Sequence, residues 1–170
     1  YKACWNAAWQ NAAYFHLAQI DALRQDWETA LKHVEQSLIR NNHHHQARHL
    51  KIILLRKLGR KEQSFSYVKE SIKLDTFNMG AFYEKHLLSK DARVLDELLF
   101  LIRNHSFNFT EFALDYRQAG FYEEAIALLE LHEPKKDRPN PWEKIVSVGC
   151  TAPGIQSVKF DQQTVIALIE

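Results

Sequence analysis

The chain holds two cysteines in 170 residues, Cys4 and Cys150, at opposite ends and without CxxC spacing. That scarcity argues against a disulfide framework and a cysteine-based zinc site, and both residues read as plain thiols. Proline is confined to Pro134, Pro139, Pro141 and Pro153, so nothing before residue 134 carries the residue that breaks a helix. Long apolar runs are missing too. No stretch of 18 apolar residues and no signal-peptide core is present in the sequence, so no membrane partner is expected. An excess of one charge is also lacking, since 22 Lys and Arg stand against 21 Asp and Glu. Without a net field, neither nucleic acid nor an anionic surface is indicated, and association has to be argued from local patches. The opening Tyr1-Lys2-Ala3-Cys4-Trp5 reads as the interior of a longer protein, which leaves the compartment open.

Reactive constellations are absent in the same way. Ser, Cys and His occur without a nucleophile elbow or an ordered triad, and no glycine-rich phosphate loop is present. The carboxylate pairs Asp96-Glu97 and Glu123-Glu124 are adjacent, which sends them to different azimuths on a helix and argues against a catalytic dyad. His43-His44-His45, with His33 and His49 nearby, is the one metal candidate, because neutral imidazoles ligate zinc, copper and nickel. Consecutive histidines in a turn diverge, however, and no carboxylate occurs between Gln36 and Lys61. The expectation is therefore no enzyme activity within this segment, no cofactor and no resident metal.

What the sequence does have is helical hairpins. Ala113, Tyr116, Gly120-Phe-Tyr-Glu-Glu-Ala125, Leu128 and Leu129 spell a helix, a glycine corner and a second helix. Small residues at Ala113 and Ala125 let the helices approach, with Tyr116, Tyr122 and Leu129 expected to fill the space around them. Upstream, Ala8, Ala12, Phe15, Ala18 and Ala22 mark a helix over about Trp5 to Gln25. Asp26 reads as the N-cap of its partner, whose stripe is Trp27, Ala30, Leu31, Val34 and Leu38. Gly59 is the corner of the next pair, in which Ala47, Leu50, Leu54 and Leu58 are expected to face Phe65, Val68 and Ile72. Ala30 and Ser64 are 34 residues apart, and both supply the small residue where the helices of a tetratricopeptide unit touch.

The spacing predicts an all-α fold, a right-handed α-solenoid of about four tetratricopeptide-like hairpins at Trp5 to Asn42, Gln46 to Leu74, Phe77 to Asn104 and Asn108 to His132. Gly59 and Gly120 are 61 residues apart, fewer than two full units, so the third hairpin must be trimmed and the superhelical twist altered there. After Glu133 the prolines, with Gly149 and Gly154, interrupt any helix. Residues 1–133 are thus expected to form the repeat domain and 134–170 an irregular tail, with short strands at Ile145-Val-Ser-Val148 and Val158-Lys-Phe160, and a strand or helical turn at Thr164 to Glu170.

Three stretches carry a resemblance. They are Trp5-Asn-Ala-Ala-Trp9 leading into Ala12-Ala13-Tyr14, Ala47-Arg48 through Leu54-Leu-Arg-Lys-Leu-Gly-Arg60, and Phe112-Ala-Leu-Asp-Tyr116 running into Ala119-Gly-Phe-Tyr-Glu-Glu-Ala125. Through them the chain resembles the helical region of a family of large, mostly bacterial proteins in which a β-sandwich portion of unassigned function precedes tetratricopeptide-like repeats. The resemblance implies the helical part of a larger protein, linked to carbohydrate metabolism, and carries over no catalytic residue.

The functional expectation is a protein-protein interaction or scaffolding module that binds a protein partner or an adjacent domain of the same protein. The alternative is an accessory helical domain of a carbohydrate-active enzyme whose catalytic part lies outside this segment. If the first helix of each pair lines a groove, Asn11, Arg48, Lys51, Tyr83 and Asp115 are its contact positions. Trp5, Trp9, Tyr14, Phe15, Phe82 and Tyr83 either line such a groove or pack between repeats. Between Arg40 and Lys61 the chain is basic without an acid, and between Asp91 and Glu133 it is mainly acidic. That polarity offers a route to head-to-tail self-association.

Overall fold

In a computed structural model, residues 1–103 and 105–132 are described. The expected strands and tail over 134–170, and Cys150, lie outside them. Among the described residues the chain is all-helical. A 3-10 turn at Lys2–Trp5 precedes α1 (Gln10–Leu23), α2 (Trp27–Arg40), α3 (His45–Lys57), α4 (Lys61–Leu74), α5 (Met79–Ser89), α6 (Ala92–Ile102), α7 (Ser106–Gln118) and α8 (Tyr122–Glu130). These helices pack as the hairpins α1/α2, α3/α4, α5/α6 and α7/α8.

The first hairpin begins later than the alanine spacing predicts. The side chain of Asn6 accepts from the Ala8 amide at 3.0 Å, an Asx turn that competes with helix and delays α1 to Gln10. Asp26 caps α2 as expected, its Oδ1 accepting from the Thr29 amide at 3.2 Å. Asn78 and Asp91 do the same for α5 and α6.

Three corners share one construction. Gln25, Gly59 and Gly120 take left-handed φ values of 62°, 74° and 81°. The amide of the following residue then reaches the carbonyl five residues back: Asp26 to Asp21, Arg60 to Leu55 and Phe121 to Tyr116, at 2.9–3.0 Å. This is the Schellman closure, which satisfies carbonyls that a helix end would orphan. Gln25 precedes Gly59 by 34 residues, the interval that also separates Ala30 from Ser64. The third hairpin turns at Lys90, whose φ of 55° carries the cost of a side chain in the left-handed region. Its two helices have 11 residues each, against 13 or 14 in the first two hairpins. The trimming inferred from glycine spacing falls there.

α3 is buried on nearly every side, with Ile52, Ile53 and Leu54 at most 1% exposed. Each such aliphatic contributes about 1.5–3 kcal/mol by leaving water. Val68 of α4 packs with Ile52 and Ala81, while Leu50 and Leu54 turn into the larger core shared by the other hairpins. The expected register is thus corrected, because α3 has partners on both sides and its Ile52 edge serves α4. Ser64 is fully buried at the α3/α4 crossing, where its hydroxyl donates to the Ile52 carbonyl at 3.0 Å. In the fourth hairpin Ala113, Tyr116 and Ala125 are buried as expected. The space around them is filled by Phe121 and Leu128, each one residue before the expected Tyr122 and Leu129, which are 48% and 41% exposed.

Outside its own hairpin, the backbone of α7 comes nearest α3. Gln118 also accepts from Gln19 of α1 at 3.1 Å, and a Cβ on Gly120 would stand 3.0 Å from Leu23. The fourth hairpin therefore turns back onto the first two.

Candidate functional site

Where the hairpins converge, their polar side chains form one network centred on the end of α3. Glu84 is fully buried on α5. Arg56 grips it with two bonds, Nε to Oε2 at 2.7 Å and Nη2 to Oε1 at 3.1 Å, and Tyr116 of α7 donates its hydroxyl to Oε1 at 2.5 Å. The same Nη2 reaches Glu124 of α8 at 3.1 Å, where Lys57 also arrives at 2.6 Å. Three hairpins are thus tied through two carboxylates. Burial works against the charge on Arg56, but the bonds and charge of Glu84 outweigh it and raise its pKa. Burial likewise opposes ionised Glu124, yet bonds from Lys57 and Arg56 bring its pKa below the ordinary value. Burial, then the charge of Glu84, pushes the Tyr116 hydroxyl well above its usual range, so it stays a proton donor. Tyr83, edge-on to Tyr116 with centroids 5.9 Å apart, is pushed to about 12 by burial and by the same carboxylate. A carboxylate holding three donors and a phenol held protonated supply adhesion between hairpins rather than acid-base chemistry.

Asn11 donates to the carbonyl and hydroxyl of Ser37, both at 3.0 Å, and clamps α1 to α2. Arg48 is fully buried and binds the Ser71 hydroxyl at 3.1 Å, Asn42 Oδ1 at 2.8 Å and Glu70 at 2.9 Å. Lys51 pairs with Glu35 at 2.9 Å. Arg48 and Lys51 meet at one ring, Tyr67, with their charged ends 4.5 and 4.6 Å from its centroid. Tyr83 is 3% exposed and packs in the core. Asp115 accepts from Gln46 at 2.8 Å and faces His49 Nδ1 across 3.9 Å, beside a small cavity of about 10 Å³ between α1, α3 and α7. The structure brings Arg48 and Lys51 together and leaves Asn11, Tyr83 and Asp115 with separate partners.

The three consecutive histidines go separate ways. The His43 amide donates to Asn41, the His44 ring stands edge-on to Phe15 with centroids 4.7 Å apart, and His45 lies 3.7 Å from Asp75. Five members of the basic run, Arg48, Lys51, Arg56, Lys57 and Arg60, pair with Glu70, Glu35, Glu84, Glu124 and Glu28. The polarity written along the chain is in good part neutralised inside the fold. Of the aromatic set, Phe15, Phe82 and Tyr83 are core, whereas Trp5 and Trp9 are 85% and 63% exposed.

The network of Arg56, Glu84, Tyr116 and Glu124 escaped sequence reading because its members lie 28, 32 and 68 residues apart. One signal was available: Glu84 directly follows Ala81-Phe-Tyr83, the apolar run of α5, and is the one acid on that helix. A lone acid inside a buried stripe asks for a cationic or hydroxyl partner.

No protein-family model matches the chain, and comparison with curated proteins returns no match.

Proposed function

We propose that this chain is a protein-protein interaction or scaffolding module, a right-handed tetratricopeptide-like solenoid belonging to a larger protein of the bacterial family it resembles. The observation that carries the reading is a division of labour between interior and surface. The interior carboxylates Glu84 and Glu124, the Arg56 guanidinium and the Tyr116 phenol, groups that chemistry would use, are hydrogen-bonded to one another. Large apolar side chains, in contrast, stand out at Ile39, Phe77, Phe100 and Phe107, each 65–81% exposed. Apolar exposure beside a frame whose central charged groups are paired internally suits binding of protein. The partner is a protein or a neighbouring domain of the same protein.

Crosslinking followed by capture on the immobilised chain tests this. Recovery of a partner that is lost on Phe77→Ser, Phe100→Ser or Phe107→Ser, with helicity unchanged, supports it; capture of nothing by an intact chain contradicts it. The exposed Trp5 and Trp9 favour a second reading, an accessory domain of a carbohydrate-active enzyme, since bare indoles stack on sugar rings. Quenching of Trp fluorescence by oligosaccharides separates the two.

A further inference from the structure

Two surfaces of the unit match in spacing and oppose in charge. On α4, Lys61, Phe65 and Lys69 recur at four-residue steps, and with Glu62, Ser66 and Leu88 they line a cleft of about 430 Å³. Two lysines against one carboxylate leave that cleft cationic. Lys69 lies 4.7 Å from the centroid of the Phe65 ring. Among the described residues the ion-paired lysines are Lys51, Lys57 and Lys85, so Lys61 and Lys69 keep their charges for another partner. Their separation of eight residues corresponds to a rise of about 12 Å along the helix.

On α8, the inward side is Ala125 and Leu128, and Glu124 is taken up by Arg56 and Lys57. The outward side leaves Tyr122, Ile126 and Leu129 between 41% and 48% exposed, with Glu123 and Glu130 exposed beside them. Those two glutamates are seven residues apart, a rise of about 10.5 Å. Ile126 stands between the glutamates as Phe65 stands between the lysines.

We propose that α8 of one copy lies along the α4–α5 cleft of a second copy, with Glu123 and Glu130 against Lys61 and Lys69, and Ile126 against Phe65 and Leu88. The inference rests on the interaction-module reading and names its partner as the chain itself. The match is a helix laid in a groove, with apolar anchors at its centre and opposite charges at its ends. Because the two surfaces differ, the contact is heterologous: each copy keeps an open cleft at one side and an open α8 at the other, so copies add in series. One helix on one cleft is a small interface, so the association is weak and concentration-dependent.

Light scattering on the full 170-residue chain, over a series reaching about 1 mM, reads it. The average mass should rise with concentration and fall as added salt screens the pairs. The double reversal Lys61→Glu, Lys69→Glu makes both surfaces acidic, and Glu123→Lys, Glu130→Lys makes both basic; each should weaken association by at least about tenfold while leaving thermal unfolding in place. Mixing the two reversed proteins restores opposite charge at every contact and should restore assembly. A chain that stays monomeric throughout, reversals without effect, or a mixture that does not reassemble overturns the proposal. Capture of a different protein by a monomeric chain would overturn self-association alone and leave the scaffold reading standing.

Discussion

The hydroxyl of Tyr116 donates to Glu84 across 2.5 Å, joining α7 to α5 inside a core where both side chains are fully buried. Arg56 completes the triad from α3, so removal of one member strands the others. Glu84→Gln takes from Arg56 the carboxylate it holds with two bonds, leaving Glu124 as its remaining charge partner, and should cost about 3 kcal/mol. Tyr116→Phe removes a single bond to a charged acceptor and should cost about 1.5–3 kcal/mol. Urea unfolding, with the slope checked for constancy, measures both. Equal small losses would mean that water satisfies the site as well as the protein does.

Two glycine corners with the same backbone should respond differently to alanine. A Cβ at Gly59 meets nothing within 4 Å, so Gly59→Ala carries only the left-handed cost, about 1–2 kcal/mol. At Gly120 the new Cβ would stand 3.0 Å from Leu23 Cδ2 and 3.3 Å from its Cα. Gly120→Ala should therefore be the more destabilising variant, and Leu23→Ala should recover part of the difference but not the backbone share. Thermal melts of the three variants decide it.

Helix existence and hairpin pairing were legible from local signals: Asp26 before an apolar stripe, Gly59 and Gly120 after one, and small residues at Ala30, Ser64, Ala113 and Ala125. These features act within one hairpin, where sequence distance and spatial distance agree. Register between hairpins was less legible. Which of Ile52 and Leu54 faces Val68, or which of Leu128 and Leu129 is buried, depends on neighbours that a helix's own periodicity does not contain. Gln25 and Lys90 turn two corners without glycine, and the chain marks those corners instead by the N-cap residues Asp26 and Asp91 that follow. The five groove positions share membership of the first helix of a hairpin. Arg48 and Tyr83 are instead drawn into the interior by the polar and aromatic partners that α4 and α7 bring.

Acid should destabilise the fold in two separable steps. Burial lowers the His44 pKa, and its Nδ1 is buried without a partner. The folded state therefore binds this proton less readily than the unfolded chain, and stability falls as pH drops below the ordinary value of 6.5. Glu124, whose pKa is also lowered, adds a second loss as pH falls below 4.5. His44→Leu should flatten the first limb and leave the second. At the alkaline end Tyr83, pushed to about 12, keeps its proton in the folded state, so stability should decline above the ordinary value of 10. Chemical denaturation at fixed pH steps maps all three windows.

Short contacts are not equally strong. Arg60 meets Glu28 at the same 2.5 Å as Tyr116 meets Glu84, but these partners are 41% and 53% exposed. Water and salt screen the pair, and Arg60→Ala should cost less than about 1 kcal/mol. A loss as large as that of Glu84→Gln would mean the corner after α3 is held by charge rather than by its Schellman bonds.

The second, third and fourth hairpins are tied by the buried contact between Arg56, Glu84 and Tyr116, and a double-mutant cycle on Tyr116→Phe and Glu84→Gln reads that coupling most directly. Unfolding free energies of the four proteins should be non-additive by about 1–3 kcal/mol, the double variant losing less than the sum of the singles. Additivity within about 0.5 kcal/mol would place the two groups in independent surroundings and contradict the tie between α5 and α7.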